Sequence, residues 1–325
     1  MHHITFISNV TSLDGIRQNI PEFSEHSIHF FSLADSPEAI LAAAPDTEII
    51  VVDAMGRVGA DLIGGLPLLR LIQSEGVGYQ GIDLAAARAH GVTVCNNKGV
   101  NDTAVAETAV MLMLACLKEL TAGSQAVYDG RQIEAKQAAF GVVRELSECT
   151  VGLIGFGDIA RATAKLLKGF GATVLYTNRT RYEALEEEYG VQYAASDKLL
   201  AQADFVSLHV AVCEDTRLMA NAAFFSKMKE DAYFINTSRG ELVDNAALLQ
   251  ALLAQKLAGA GLDVIAPEPV TADNILLDER IKNKLVLTPH IAGITSLTVK
   301  KIYRNIYRNV TAVLQGQTPQ NIVSA

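Results

Sequence analysis

The chain has 325 residues, half of them apolar and 19% charged, which is longer than one hydrophobic core usually serves and too apolar for disorder. Its 36 acidic and 27 basic residues leave a net charge of -9, which excludes a general nucleic-acid binder, since that class needs a basic footprint. A small anionic ligand stays open, because a pocket can be locally positive on an acidic protein.

In chain order, the first hundred residues alternate short apolar, β-branched runs ("ITFIS", "IHFFS", "EIIVVD", "LRLIQ", "VTVCN") with helix-like segments such as "SPEAILAAA" and "DLAAARAHG". Residues 104–120, "AVAETAVMLMLACLKEL", are apolar on nearly every face. A helix buried all round is expected there, in its own domain or against a second subunit. Only ten uncharged residues separate Glu107 from Lys118, whereas a membrane span needs about 20. After residue 149 the rhythm returns in "TVGLIG", "ATVLYTN", "DFVSLHV", "AYFIN", "GAGLDV" and "LVLTP". The pattern predicts an α/β fold of two lobes with parallel sheets. The opening "MHHITFISNV" lacks the regions of a secretory signal, and Cys95, Cys116, Cys149 and Cys213 show no CxxC pair or metal-type spacing. Reduced thiols, no metal, no membrane and a cytoplasmic location are expected.

The stretch "VGLIGFGDIA", residues 151–160, reads as a strand entering a Gly-x-Gly-x-x-Ala turn at Gly155, Gly157 and Ala160. The first glycine permits a tight turn, the second lets a pyrophosphate approach, and the small third residue lets helix and strand pack. "DIARATAKLLKGFG" supplies a helix whose N-terminus favours the diphosphate. By itself such a turn is often structural; the strand before it and the helix and strand after it point to a dinucleotide. An acidic residue about twenty positions on normally binds the adenosine ribose. Here Asn178 stands 21 positions after Gly157, followed by Arg179, Thr180 and Arg181. A neutral amide beside a guanidinium accepts a 2′-phosphate that a carboxylate would repel, so NADP(H) is expected over NAD(H). The plainer alternative is a solvated arginine loop and use of both cofactors.

Three polar stretches follow later strands, with Arg239 in "FINTSRGELVD", Asp263 and Glu268 in "GLDVIAPEP", and His290 in "LVLTPHIAGIT". Open α/β sheets place ligands at such strand ends. Singly, each has a bland reading as a structural histidine, a surface ion pair or a loop carboxylate. Together, a cation, an acid and an imidazole are what reduction of an α-keto acid requires.

With "EGVGYQGID" (75–83), "GFGDIA" (155–160), "DFVSLHVAVCEDTRLM" (204–219), "FFSKMKEDAYFINTSRGELVD" (224–244), "AGAGLDVIAPEP" (258–269) and "TPHIAGIT" (288–295), the chain resembles the D-isomer-specific 2-hydroxyacid dehydrogenases over nearly its whole length. The resemblance implies an NAD(P)-dependent oxidoreductase interconverting a 2-keto acid and a D-2-hydroxy acid. Arg239, Glu268 and His290 become the catalytic set, with His290 as proton donor, Glu268 holding its imidazole, and Arg239 on the substrate carboxylate. The backbone of Val77 and Gly78 would share that carboxylate, and Met55 would line the pocket beside Arg57. For the cofactor it implicates Gly155, Gly157, Asp158 and Ile159 at the phosphates, Asn178 and Arg179 at the ribose, and Val210, Ala211 and Thr216 near the adenine. Thr237, Ser238, Asp263 and Gly293 would surround the nicotinamide.

The family fold implies two Rossmann-like/flavodoxin-like lobes with parallel sheets, a dinucleotide-binding Rossmann domain, residues 101–289, inserted into a substrate domain, residues 1–100 and 290–325, with a closing cleft. It also implies a homodimer formed through the helix near Ala104. Departures are Tyr79-Gln80-Gly81 for the usual Tyr-Asp-Asn, Ala211 for a proline and Asn178 for an aspartate. A glyoxylate/hydroxypyruvate-type reductase is the favoured specific reading. The alternatives are a phosphoglycerate dehydrogenase-like or phosphite-type dehydrogenase, a non-catalytic dinucleotide-sensing corepressor-like protein, and a methyltransferase with a Gly-rich turn.

Overall fold

The computed structural model describes residues 1–8 and 20–323. The chain divides into two compact units, Met1–Val100 with Thr295–Ala325, and Asn101–Ile294. The return to the first unit therefore falls at Thr295 rather than at residue 290, and His290 belongs to the second unit. Its segment is held there by the sheet: Thr288 N–H donates to Leu262 O and His290 N–H to Asp263 O, at 3.0 and 2.9 Å.

The first unit is built on β1 (His3–Ile7), β2 (Ser27–Phe31), β3 (Ile49–Val52), β4 (Leu71–Ser74) and β5 (Thr93–Cys95), paired in parallel in the order β2-β1-β3-β4-β5. This is the flavodoxin-like order. A parallel sheet is covered on both faces, which is why its strands read as almost continuous apolar runs. One face packs Phe6, Val51 and Leu71 against Tyr303, Ile306 and Val310 of the helix Ser296–Leu314. The other packs Ile50, Val52 and Ile72 against Leu62 and Ile63 of the helix Ala60–Gly65. Each such side chain contributes about 2 kcal/mol on burial.

The second unit carries β6 (Thr150–Ile154), β7 (Thr173–Thr177), β8 (Val191–Tyr193), β9 (Phe205–Leu208), β10 (Tyr233–Asn236), β11 (Gly259–Leu262) and β12 (Leu285–Leu287). Their parallel order is β12-β11-β10-β9-β6-β7-β8, a Rossmann arrangement whose direction reverses between β6 and β9. β8 is absent from the sequence reading; it is three residues long, lies at the sheet edge, and exposes Gln192 and Tyr193.

The long apolar segment forms the helix Asp102–Leu117, which ends before Leu120. Glu119 takes a left-handed backbone (φ 49°), and new helices run over Leu120–Tyr128 and Gln132–Ala139. The first helix is core to its own unit, burying Val105, Leu112, Met113 and Cys116, while Met111 and Glu107 face outward. Among the described residues no helix is long and apolar enough to cross a membrane, and no cluster of three or more His, Cys, Asp or Glu could hold a metal.

Candidate active site

At the switch point β6 runs into Gly155, whose φ of 96° suits glycine alone and whose added Cβ would overlap the His209 carbonyl oxygen. The turn thus draws the ends of β6 and β9 together. The helix Asp158–Gly169 begins at Gly157 with no side-chain cap, and a Cβ at Gly157 would meet nothing within 4 Å. An uncapped helix N-terminus under open space is an anion cradle. On the same side the Thr237 hydroxyl is enclosed without a hydrogen-bond partner among the described residues. These features fit a dinucleotide.

Past β7, Asn178 Nδ2 donates to Thr180 O at 3.0 Å. The two arginines that follow differ. Arg181 is committed to Glu186 through Nε and Nη2, at 2.7 and 3.0 Å, and to Glu183 at 3.2 Å. Arg179 is exposed and makes no ion pair among the described residues, so it is the guanidinium available to a phosphate. After β9, the Thr216 hydroxyl donates to Ala211 O at 2.7 Å and accepts from Cys213 N–H at 2.8 Å. That tie restrains the loop Val210–Thr216 where the proline is missing. His209 was not singled out from sequence. Its Nε2 lies 2.9 Å from Ser207 Oγ, and burial pushes its pKa down to about 4.

The end of β10 is locked by buried Asn236, which accepts from Ser238 N–H and donates to Arg239 O, both at 2.9 Å. Arg239 Nη1 donates to Ser238 O at 2.7 Å, and among the described residues no carboxylate pairs with the guanidinium. The next residue, Gly240, packs so closely on Ile265-Ala266 that a Cβ would overlap the Ala266 nitrogen. That contact brings the Arg239 turn beside the segment leading to Glu268.

Both Glu268 oxygens lie near His290 Nδ1, at 3.1 and 3.0 Å. This hydrogen bond raises the imidazole pKa above its ordinary value; burial opposes the rise, the Glu268 charge adds to it, and the Arg239 charge subtracts. His290 itself sits in the left-handed region (φ 55°), a strained backbone that only its surroundings can impose. Asp263 supplies them: Oδ1 accepts from the Thr288 hydroxyl at 2.6 Å and from Ile291 N–H at 3.0 Å, and Oδ2 from Ala292 N–H at 3.0 Å. Asn101, also missed from sequence, crowds Gly293, where a Cβ would lie 2.7 Å from its Nδ2.

In the first unit, three side chains hold the carbonyls of Glu75, Val77 and Gly78, and the Asn97 N–H holds that of Gly76 at 2.8 Å. Asn97 Nδ2 donates to Glu75 O at 2.9 Å, Asn96 Nδ2 to Val77 O at 2.8 Å, and the Ser74 hydroxyl to Gly78 O at 2.6 Å. The N–H groups of Val77 and Gly78 donate to nothing among the described residues. Two adjacent, unspent N–H groups suit a carboxylate. Met55 is 59% exposed after β3, with its N–H on Asp53 Oδ1 at 2.8 Å. The neighbouring turns interlock, since a Cβ on Gly81 would overlap the Gly56 carbonyl oxygen and Val58 N–H donates to Gly81 O at 3.0 Å.

A Rossmann sheet with this turn, joined to an acid-held imidazole and a guanidinium unpaired among the described residues, defines a pyridine-nucleotide-dependent oxidoreductase. The comparisons narrow the class. The NAD binding domain of the D-isomer specific 2-hydroxyacid dehydrogenases matches residues 110–292. A glyoxylate reductase of Thermococcus litoralis is 33% identical, over 98% of this chain and 96% of that protein. The D-lactate dehydrogenase of Aquifex aeolicus, solved with NAD and lactic acid, superposes with a TM-score of 0.86 at 28% identity, covering 100% of this chain and 99% of the other. An NADPH-dependent glyoxylate/hydroxypyruvate reductase of Sinorhizobium meliloti gives 0.83 at 28%, covering 100% and 97%. The chain belongs to the D-isomer specific 2-hydroxyacid dehydrogenase family and is an oxidoreductase acting on CH–OH groups with a pyridine nucleotide.

Proposed function

We propose that the protein reduces small 2-keto acids of the glyoxylate and hydroxypyruvate type, in the cytoplasm, with NADPH preferred over NADH. The observation that carries this reading is the Arg239 guanidinium, without a carboxylate partner among the described residues, beside an imidazole held by Glu268. The glyoxylate reductase relative and the NADPH-dependent structure support the substrate type, and Asn178 with an Arg179 that makes no ion pair among the described residues supports the cofactor.

The reduced nicotinamide, when bound, supplies the hydride. Gly155, Gly157, Asp158 and Ile159 would hold the diphosphate, with Asn178 and Arg179 at the adenosine ribose and Val210, Ala211 and Thr216 beside the adenine. Thr237, Ser238 and Gly293 would border the nicotinamide. With Nδ1 tied to Glu268, His290 keeps Nε2 for the proton given to the keto oxygen and recovered in the oxidative direction. Arg239 binds the substrate carboxylate as a planar fork and polarises the carbonyl. In the first unit the N–H groups of Val77 and Gly78, with Met55 after β3, are a carboxylate-binding turn. Asp263 holds His290 in its strained position; of the roughly four acceptor sites of a carboxylate it uses three, leaving one on Oδ2 for a carboxamide. A second copy would cover the exposed apolar side chains of Leu120, Val127, Tyr128, Ile133 and Phe140, forming a homodimer.

The test follows nicotinamide oxidation with both cofactors against glyoxylate, hydroxypyruvate, pyruvate, phenylpyruvate and branched 2-keto acids. His290→Ala is expected to lose about a thousandfold or more in turnover while still binding NADPH. Retained turnover would refute the proton-donor role, and a clear preference for NADH would end the NADPH assignment.

A further inference from the structure

The carboxyl edge of the five-stranded sheet holds an acidic cluster that the roles above do not use. Past β1, β3 and β4 the ladder continues through Ser8, Asp53 and Glu75, whose N–H groups donate to Phe31, Ile7 and Val52 carbonyls at 3.1, 3.0 and 2.7 Å. By the alternation of strands these three residues share the face of Phe6, Val51 and Leu71, which is the face covered by the helix Ser296–Leu314. Tyr303 of that helix feels both carboxylates, Glu75 and Asp53.

Glu75 is poorly provided for in this setting. Its Oε1 is wholly enclosed and has no hydrogen-bond partner among the described residues. The Ser8 hydroxyl is the hydrogen-bonding group that acts on the carboxyl, and Asp53 adds a like charge. From the helix comes the Tyr303 phenol, which burial keeps protonated, and from the segment after β5 comes Asn97, whose amide is spent on the Glu75 backbone. No cation among these neighbours compensates it. Burial first, and Asp53 second, push the Glu75 pKa up to about 7. One residue further on begins the turn of Gly76, Val77 and Gly78.

We propose that Glu75 is a positioning residue for substrate: neutral, it leaves the Val77 and Gly78 N–H groups their full attraction for a carboxylate, and ionised, it opposes that attraction, so a proton governs the turn's hold on a 2-keto acid. The inference rests on the reading of that turn as the carboxylate receiver. A like charge within about 10 Å of a carboxylate in a partly buried setting repels it enough to raise KM at least about fivefold.

The experiment measures KM for glyoxylate with NADPH, between about pH 6 and about pH 8, for wild type and Glu75→Gln. The imidazole of His290 titrates alike in both, so the difference between the profiles is the readout. Wild-type KM is expected to rise at least about fivefold more than that of Glu75→Gln, with kcat changing in parallel in the two proteins. Parallel KM profiles overturn the inference alone; no turnover of any 2-keto acid by wild type overturns the functional reading beneath it. A second readout needs no activity. The folded protein keeps a proton that the unfolded chain gives up from about pH 4.5, so wild type loses stability up to about pH 7 while Glu75→Gln does not. The Tm advantage of Glu75→Gln should therefore grow across that window, and a flat difference overturns the neutral state. Asp53→Asn, which removes the like charge, should move the KM limb to lower pH; an unmoved limb counts against the proposal.

Discussion

The two ends of the seven-stranded sheet treat charge in opposite ways. At the amino end, Asp204 is buried before β9, yet its oxygens accept from Lys229 Nζ at 2.6 Å, Arg144 Nη1 at 3.1 Å and Thr150 N–H at 2.7 Å. Burial alone would raise its pKa, but these donors outweigh it and hold the carboxyl below the usual range. At the carboxyl end, among the described residues, Arg239 has no carboxylate partner and His290 keeps one nitrogen unspent. Saturated charges hold a fold together, whereas unsaturated ones are kept for something that arrives later. Glu75 repeats the second pattern with the opposite sign in the other sheet.

The contrast makes crossed predictions. Arg239→Lys should lower kcat/KM by about a hundredfold, because a point charge loses the planar grip, while Tm stays within about a degree or two. A large drop in Tm would place Arg239 among the structural charges. Asp204→Asn should do the reverse. It is expected to cost about 2 kcal/mol with the specific activity of the folded fraction unchanged, as measured by denaturant unfolding. Because the folded-state pKa of Asp204 is depressed, that stability is present above the ordinary aspartate range and is lost as pH falls through the depressed value. A variant whose deficit persists unchanged in strong acid would contradict the charge argument.

The smallest effect sharpens the comparison within the carboxyl end. Reduction needs the imidazolium of His290, so reductive kcat/KM should fall about tenfold per pH unit above its raised pKa, while the oxidative direction gains. Glu268→Gln removes the main cause of the rise and should move that limb to lower pH, leaving acid-side rates closer to wild type. An unshifted limb would mean that Glu268 orients the ring without tuning it.

Much of this was legible in sequence for physical reasons. Buried parallel strands must be apolar on both faces, so "EIIVVD" and "DFVSLHV" announced themselves, while Val191–Tyr193 buries one residue of three and left no such trace. Arg239, Glu268 and His290 were visible because each follows a strand. Partner choice was not visible: nothing in "NRTR" says that Glu183 and Glu186, one helix later, claim Arg181 and leave Arg179. Glu75 was hidden for a similar reason. Nothing in "QSEGVG" shows that Ser8, Asp53 and, from the far end of the chain, Tyr303 come together around it.

The interlocked turns around Gly56 and Gly81 bear on any attempt to retarget the pocket. An asparagine at 81 alone would drive its Cβ into the Gly56 carbonyl oxygen unless the 53–58 turn moved with it. Evolution of substrate range here is expected to proceed by paired changes, and a library that varies both stretches jointly should yield more folded, active members than two libraries that vary them apart.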